Sequence, residues 1–595
     1  MHYKKVHVGV KLWDFAFFIL VVFPLLTGGI WYQRPGLFIE LSDIGIPVLS
    51  LGLVGLALRH KGVRLQEGLI CRGFFALGRS WQDRLRVMPL KTLGLVSLFF
   101  GSVWFLASLR RHLEVNNHVM DLSIFYNAIW NLSHGHGYFC SPKGGINLFA
   151  DHQSPLFWLF VPLIKLFPDP VTLLFVQDFA LTSGGIAVFY LAKQYLGTGQ
   201  KVDWQGDQKM DWRQCILPLL YWSYLPLRNA AFFDFHVEVL MLPLFLFAIA
   251  GIQSVSMRNR VVGGIFFLLA LASKESAPPI AAGIGLAWLL GAAPIQTRKF
   301  CRKVGFFVIP VGICLFYFYV KKMAVWFGAG YAYQSNYSHF GSGLSDVILA
   351  PFTQPRVFFS YLLGPLRLKY LFWTLGPLGF LPLLNPVPLL AALPSYLMLF
   401  LAEGDRVQIW RHYGVEPAIG LFWAMGLAFQ RAEVFGAKVR AFGRIRPPWN
   451  WASPVVLWSL FWALLLFGRS DLYNIRKYSG SEHGDWLRTK LVPCIAPDLS
   501  VSAPIALSSH LASRYWISFF PSSTTHQGTP IQCIIHDSTI LGGIGGVEGE
   551  QVLGQLRSKG YGEIYQCRGG TFRVLQHFST LGAGCMVCRP DCEGG

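Results

Sequence analysis

The stretch TLGLVSLFFGSVWFLASL, residues 92–109, carries no charged side chain. A helix needs about 20 mostly apolar residues to cross the hydrocarbon core of a bilayer. This block is close to that length, and it is not alone. Apolar blocks of about 13 to 25 residues recur from Phe15 to Phe467. Overall 53% of the 595 residues are hydrophobic and only 14% are charged, with a mean hydropathy of +0.44. Soluble domains carry about 25% charged residues. No soluble core hides so many apolar runs, so the class is a polytopic α-helical membrane protein.

The spacing predicts about 13 transmembrane helices, near 15–31, 43–58, 92–109, 171–195, 214–226, 237–255, 261–273, 277–292, 304–320, 370–384, 386–401, 415–430 and 454–468. The first follows HYKKVHVGVKLWD and is followed by WYQRPGLF. With no small-residue cleavage site there, it reads as a retained span. PLFWLFVPLIKLFP (155–168), with proline at both ends, suits an interfacial or re-entrant helix instead.

The net charge is +20. In a polytopic chain such an excess follows the positive-inside rule rather than nucleic-acid binding. The basic segments 59–91, 297–303 and 431–446 all fall inside if the N-terminus is cytoplasmic. The outward segments are then 110–154, 228–239, about 321–370, and the tail after Arg469. These counts predict three regions. Residues 1–91 hold two N-terminal spans and a basic cytoplasmic loop. Residues 92–469 form the transmembrane core. Residues 470–595 form a small extracytoplasmic α/β domain.

The tail reads as short strands in DLSVSAPIAL, RYWISFFP, PIQCIIHDSTIL and YGEIYQCRGGTFRVLQHF, the last a hairpin turning at Arg568–Gly569–Gly570. ALSSHLAS suits a helix between two of them. The tail holds Cys494, Cys533, Cys567, Cys585, Cys588 and Cys592. An oxidising compartment permits disulfides. CMVCRPDC has metal-like spacing but no partner histidines, so disulfides or free thiols are the expectation.

Chemistry-bearing residues collect in the outward segments. Asp121 precedes Ile124, Phe125, Ala128, Ile129 and Leu132 at helical spacing. It therefore starts an amphipathic helix, either complementing the helix dipole or facing a cleft as a base. Asp151 and His152 end the same loop. Carboxylates that share a cleft near a bilayer have tunable pKa values. His236 and Glu238 stand at the mouth of a span, and Lys274 and Glu275 lie between two spans. Charged groups in such places are paired or used. Arg406, Arg411 and His412 are outward basic groups, against the positive-inside trend, and point to anionic lipid headgroups. Arg367 and Lys369 are weaker candidates of the same kind. Trp130, Tyr138, Trp326, Tyr331 and Tyr333 suit sugar stacking and interfacial anchoring equally. His134 and His136, separated by one glycine, make poor helical metal ligands, and NLS at Asn131 is a short sequon match.

DLSIFYNAIWNLSHG, ADHQSPLFWLFVPLIKLFP, DFHVEVL, ASKESA, YLFWTLGPLGFLPLLNP and RHYGVEP, in this order over residues 93–423, resemble a bacterial family called domain of unknown function 2079. That family is similar to the GT-C superfamily of polytopic glycosyltransferases, with protein O-mannosyltransferases and lipid A aminoarabinose transferases. The resemblance implies a GT-C-like fold with juxtamembrane helices in the first large outward loop. It implies transfer of a sugar from a polyprenyl-phosphate-linked donor at the outer face of the bacterial plasma membrane. The acceptor is not named by it. Asp121 matches the catalytic acid of the first loop, and Asp151–His152 takes the place of a doubled acid. Lys274 or Arg411–His412 would meet the lipid phosphate, with Glu275, His236, Glu238 and Arg406 lining the substrate. Metal use varies in the superfamily, and the sequence presents no metal cage. A lipid or solute transporter, or a non-catalytic scaffold of the same fold, are the alternatives.

Overall fold

The computed structural model describes residues 69–116, 120–196, 212–328, 330–404, 406–442, 481–580 and 584–592, with scattered residues among the first 54 and residue 475. The expected spans at 15–31, 43–58 and 454–468 lie wholly or mostly outside the described residues. So do residues 59–68 and 443–446 of the basic segments 59–91 and 431–446. Between the first two expected spans, Trp31–Arg34 (β1) and Leu37–Glu40 (β2) form an antiparallel hairpin. The protein is mostly helical, with a small sheet near its C-terminal end.

Among the described residues, three helices are long and apolar enough to cross a membrane: Pro89–Leu113, Val171–Leu196 and Arg298–Phe327. The first contains the 92–109 stretch. It starts on a proline, whose missing N–H is no loss in the first turn. It ends on Arg110, Arg111 and His112, which complement the negative end of the helix. The Val171–Leu196 helix is central. A Cβ on Gly184 would come within 2.1 Å of the Tyr221 hydroxyl, and one on Gly185 within 2.6 Å of the Trp222 ring. The two glycines therefore admit the Trp212–Trp222 helix. Tyr221 donates to the Leu181 carbonyl at 2.7 Å and Trp222 to that of Thr182 at 2.8 Å, so neither buried ring leaves its polar atom unpaired.

Several expected spans come out short or broken, and proline is the common cause. A proline removes a backbone donor and clashes with the preceding turn. The 370–401 region becomes the Pro365–Leu375 helix, 3-10 turns carrying Pro377, Pro382 and Pro388, and the Leu393–Leu401 helix. The 214–226 block divides into Trp212–Trp222 and Leu225–Phe232, the latter with a proline in its first turn. Met257–Leu271 and Ala277–Leu289 are separated by a tight turn bearing Lys274 and Glu275. The 155–168 block is a 3-10 turn, Pro155–Leu159, and a short helix, Phe160–Leu166.

The segment between the Pro89–Leu113 and Val171–Leu196 helices holds the Asp121–Ser133 helix and a small ribbon of Phe139–Cys140 (β3) and Ile146–Asn147 (β4). The C-terminal region holds Val501–Ala503 (β5), Ile517–Phe519 (β6), Cys533–Asp537 (β7), Tyr561–Cys567 (β8) and Phe572–His577 (β9). They form a five-stranded sheet in the order β6-β5-β7-β9-β8. β5 pairs in parallel with β6 and β7, and β9 pairs antiparallel with β7 and β8. The β8–β9 hairpin turns at Arg568–Gly570, where Gly569 and Gly570 take positive φ of 61° and 87°. Short helical turns at Ile505–Ser508 and Ser509–Leu511 link β5 to β6. A further helix, Gly546–Ser558, precedes β8. The six tail cysteines pair as Cys494–Cys588, Cys533–Cys585 and Cys567–Cys592.

This domain sits on the Asp121–Ser133 helix. Asn127 donates to the carbonyls of Ala512 and Arg514, Tyr126 meets Ser513, and Ser141 accepts from the Ile517 amide. The helix is therefore not a half-solvated amphipathic one. Its polar face carries hydrogen-bonding groups that the domain covers, and Leu122 through Ile129 are all buried. Asn131 of the sequon match is fully buried and donates to the Phe139 carbonyl, so a glycan has no room there.

Candidate active site

Four chain segments meet beside that helix. The first brings Asp121, its opening residue, and His152, from the extended stretch before Pro155. The second is the turn carrying His236 and Glu238, just before the Met241–Ile252 helix. The third is the Lys274–Glu275 turn, and the fourth is the 3-10 turn His412–Gly414 that opens the Val415–Phe442 helix.

The second turn is held from below. Arg111 bonds the Phe232 carbonyl and the Asp234 carboxylate, with both ionic side chains buried. The Asp234 carbonyl accepts from His236 Nδ1 at 2.8 Å, and the Gln177 amide oxygen accepts from the His236 amide at 2.8 Å. These contacts aim His236 Nε2 at Asp121 Oδ2, 3.3 Å away. The His236 ring stacks on His412, 3.6 Å between centroids. His412 Nε2 lies 3.0 Å from Glu238 Oε1, and Lys274 Nζ 2.6 Å from the same oxygen. Ser276 donates to Glu416 at 2.7 Å, although 140 residues separate them.

These groups line one cavity of about 180 Å³. Asp121, His152, His236, Glu238, Lys274, Glu275, Arg406, Arg411 and His412 all face it. Asp151 does not. It stands behind His152, with its carboxylate paired to Lys143 and 3.7 Å from His152 Nε2. Arg367 and Lys369 do not line it either. Arg367 instead donates to the carbonyls of Phe400 and Ala402. His134 is exposed and stacks on Trp130. The wall also holds Tyr331, Tyr333, Tyr337, Tyr413, Ser276 and Glu416. Tyr333 reaches His152 Nε2 at 3.0 Å and lies beneath Arg406. Of these, Ser276, Tyr413 and Glu416 sit inside ASKESA and RHYGVEP, so the same motifs carried the signal. Asp234 opens the DFHVEVL motif, whereas Arg111 lies outside the quoted motifs and gave no signal, because its role is to grip a turn.

The electrostatics follow from the pairing. Burial pushes the Asp121 carboxyl up, but the charge and hydrogen bond of His236 outweigh it and hold its pKa below the ordinary value. For His236 burial acts downward, and Asp121 more than compensates, so its pKa is raised. His412 is lowered to about 4 by burial and by the neighbouring His236 charge. At neutral pH it is therefore uncharged and donates Nε2–H to Glu238. Asp121, with 28% of its side chain exposed, is the carboxylate of the cluster most open to a ligand.

His236, Glu238 and His412 bring their donor atoms within 4.8 Å of one another, close enough to share a cation. Two imidazoles and a carboxylate suit a divalent metal. The ammonium of Lys274, however, already holds the same carboxylate oxygen. A metal there would compete with Lys274 for Glu238.

Two further cavities share walls with this one. An apolar cavity of about 300 Å³, lined by residues such as Val320, Val347, Ile348 and Leu397, shares Tyr331, Tyr337 and Met398. A neutral cleft of about 740 Å³ shares Tyr331.

The family model described as "Predicted membrane protein (DUF2079)" matches residues 111–541. The chain belongs to this family. The DUF2079 match takes in every residue named on the cavity wall and part of the sheet, and the protein is a multi-pass membrane protein. No curated protein matches it in sequence. Among solved structures it is similar to ArnT from Cupriavidus metallidurans bound to undecaprenyl phosphate. The identity is 10% and the TM-score 0.46, over 83% of this chain and 98% of that one. It is also similar to the archaeal oligosaccharyltransferase AglB from Archaeoglobus fulgidus, in complex with an inhibitory peptide and a dolichol-phosphate. There the identity is 13% and the TM-score 0.35, over 81% of this chain and 74% of that one.

Proposed function

We propose that this DUF2079 protein is a GT-C-type glycosyltransferase that moves a sugar from a polyprenyl-phosphate-linked donor to an extracytoplasmic acceptor. The observation that carries the reading is the wall shared by the charged cavity and the apolar one at Tyr331, Tyr337 and Met398. A ligand with an anionic head and an isoprenoid tail needs that pairing of chemistries side by side. A small soluble substrate would not need the apolar half.

In this reading Asp121 takes the proton of an acceptor hydroxyl. The acceptor oxygen forms a bond to the anomeric carbon, and the bond from that carbon to the phosphate oxygen breaks. The electron pair leaves with the lipid phosphate. Lys274, Arg406 and Arg411 face the same cavity and would stabilise that phosphate, the large term in such a site. His236 keeps Asp121 ionised. His152, backed by Asp151 and Tyr333, shapes the acceptor side. Should a divalent cation bind, His236, Glu238 and His412 would hold it, and it would supply charge to the phosphate. The chain would have a cytoplasmic N-terminus, spans in 1–91 and 92–469, and the 470–595 domain outside the plasma membrane. That placement agrees with the docking of the sheet domain on the Asp121 helix.

The test is transfer from labelled polyprenyl-phosphate sugars by wild type and Asp121→Asn. A general base contributes about 10²–10⁴-fold, so the variant should lose that much transfer while still binding undecaprenyl phosphate. Equal transfer by both proteins, or movement of lipid across the membrane without transfer, would reject the assignment.

A further inference from the structure

The neutral cleft of about 740 Å³ lies between the 145–150 segment of the first loop and the Ala332–Phe340 3-10 helix. It meets the reaction cavity at Tyr331, whose hydroxyl lies 3.4 Å from Glu275 Oε1. Its polar lining is Asn147, Tyr331, Gln334, Ser335, Ser338 and Ser342. Among the described residues, not one Asp, Glu, Lys, Arg or His lines it. That is notable in a chain of net charge +20, whose neighbouring cavity is crowded with ionic groups.

We infer that this cleft is the acceptor subsite and that the acceptor is an uncharged carbohydrate. The inference rests on the transferase reading and names the half of the reaction that reading leaves open. An anionic acceptor, such as a phosphorylated lipid or an acidic glycan, would need a cation to offset its desolvation. A cationic one would need a carboxylate. A polyhydroxyl ligand needs hydroxyl and amide partners, which the six polar residues supply. Phe327, 41% exposed at the rim, offers a ring for the apolar face of a sugar. The Gln334 amide donates to the Ser342 carbonyl, which leaves its oxygen free to accept from a ligand hydroxyl. The cleft volume falls in the range of about 300–1,000 Å³ common for ligand sites. The reacting hydroxyl enters past Tyr331. Its oxygen bonds the anomeric carbon, its proton goes to Asp121, and the phosphate departs with the electron pair of the broken bond.

The experiment uses the full chain in lipid nanodiscs, on an immobilised array of neutral and acidic oligosaccharides. Wild type is compared with Ser338→Trp and Ser335→Trp. Both serines are exposed in the cleft and absent from the reaction cavity wall. Native mass spectrometry with undecaprenyl phosphate is run on each protein and shows which variants keep the donor site. Wild type should bind neutral glycans only, and a variant that keeps the donor site should lose about tenfold or more of that binding. Preference for acidic glycans, no glycan binding, or unchanged binding in either variant would overturn the inference. Failure of wild type to bind undecaprenyl phosphate would instead sink the donor reading, whatever the array shows.

Discussion

Replacing Lys274 by methionine isolates the electrostatic centre of the cavity. Lys274 Nζ lies 2.6 Å from Glu238 Oε1, with only 12% and 1% of the two side chains exposed. At an effective dielectric of about 20, unit charges this close attract by about 6 kcal/mol. Desolvation of both groups opposes most of that, so the intact pair adds little net stability. Removing one partner is different. It strands a buried carboxylate, at a cost of about 3–5 kcal/mol. His412 still reaches Glu238 at 3.0 Å, so the loss should fall at the lower end, about 3 kcal/mol. The double variant Lys274→Met/Glu238→Gln removes the stranded charge and should recover most of that loss, a coupling of about 2 kcal/mol. The assay is denaturant unfolding in detergent micelles followed by tryptophan fluorescence. The double variant should also bind undecaprenyl phosphate more weakly than wild type, which separates a role in the fold from a role in the ligand. A single variant within about 0.5 kcal/mol of wild type, or a double variant no more stable than the single, would refute the reasoning.

Two more predictions concern the same assembly. His236 does most to hold the Asp121 pKa down, so in His236→Gln burial is opposed only by the weaker pull of His412 and His152, and the acid limb of the transfer pH profile should move to higher pH. The stabilisation from the raised His236 is complete below its unfolded value of 6.5 and is lost as pH rises through its folded pKa. That from Asp121 is complete above 3.8 and is lost as pH falls through its lowered folded pKa. The stability gap between wild type and His236→Gln should therefore be widest between those values, and an acid limb at the same pH in both proteins would contradict the pairing. Cys494–Cys588 closes a separation of 94 residues. Its replacement by two alanines should cost about 2–5 kcal/mol, read as earlier unfolding of the sheet domain, whereas unchanged unfolding would mean that the bridge does not restrain it.

The helical membrane class was legible because hydropathy and block length are properties of consecutive residues. The strands of the tail and the Arg568–Gly570 turn were legible for the same reason. The Gly546–Ser558 helix carried a local signal too, in the spacing of Val552, Leu553 and Leu556, but it lay among Ser-Gly-Thr-rich strands. Where the sequence alone predicts full spans at 370–401, proline placement gives broken elements, because each proline withdraws a donor that a continuous helix requires.

The cavity is another matter. Asp121, His236, Lys274 and His412 are chemically conspicuous one by one, and the residues alone leave a structural and a functional role open for each. Which of them meet, and in what order, depends on packing between segments far apart in the chain. Tyr333 reaches His152 across 181 residues, and Asn127 reaches Arg514 across 387. The same packing set Asp151 behind His152 rather than beside Asp121, and it covered the polar face of the Asp121–Ser133 helix with the sheet domain. Local residue order sets which groups can ionise and which segments can coil. Only the closing of distant segments on one another sets which charges share a cavity, because a charge pair depends on separation in space and not along the chain.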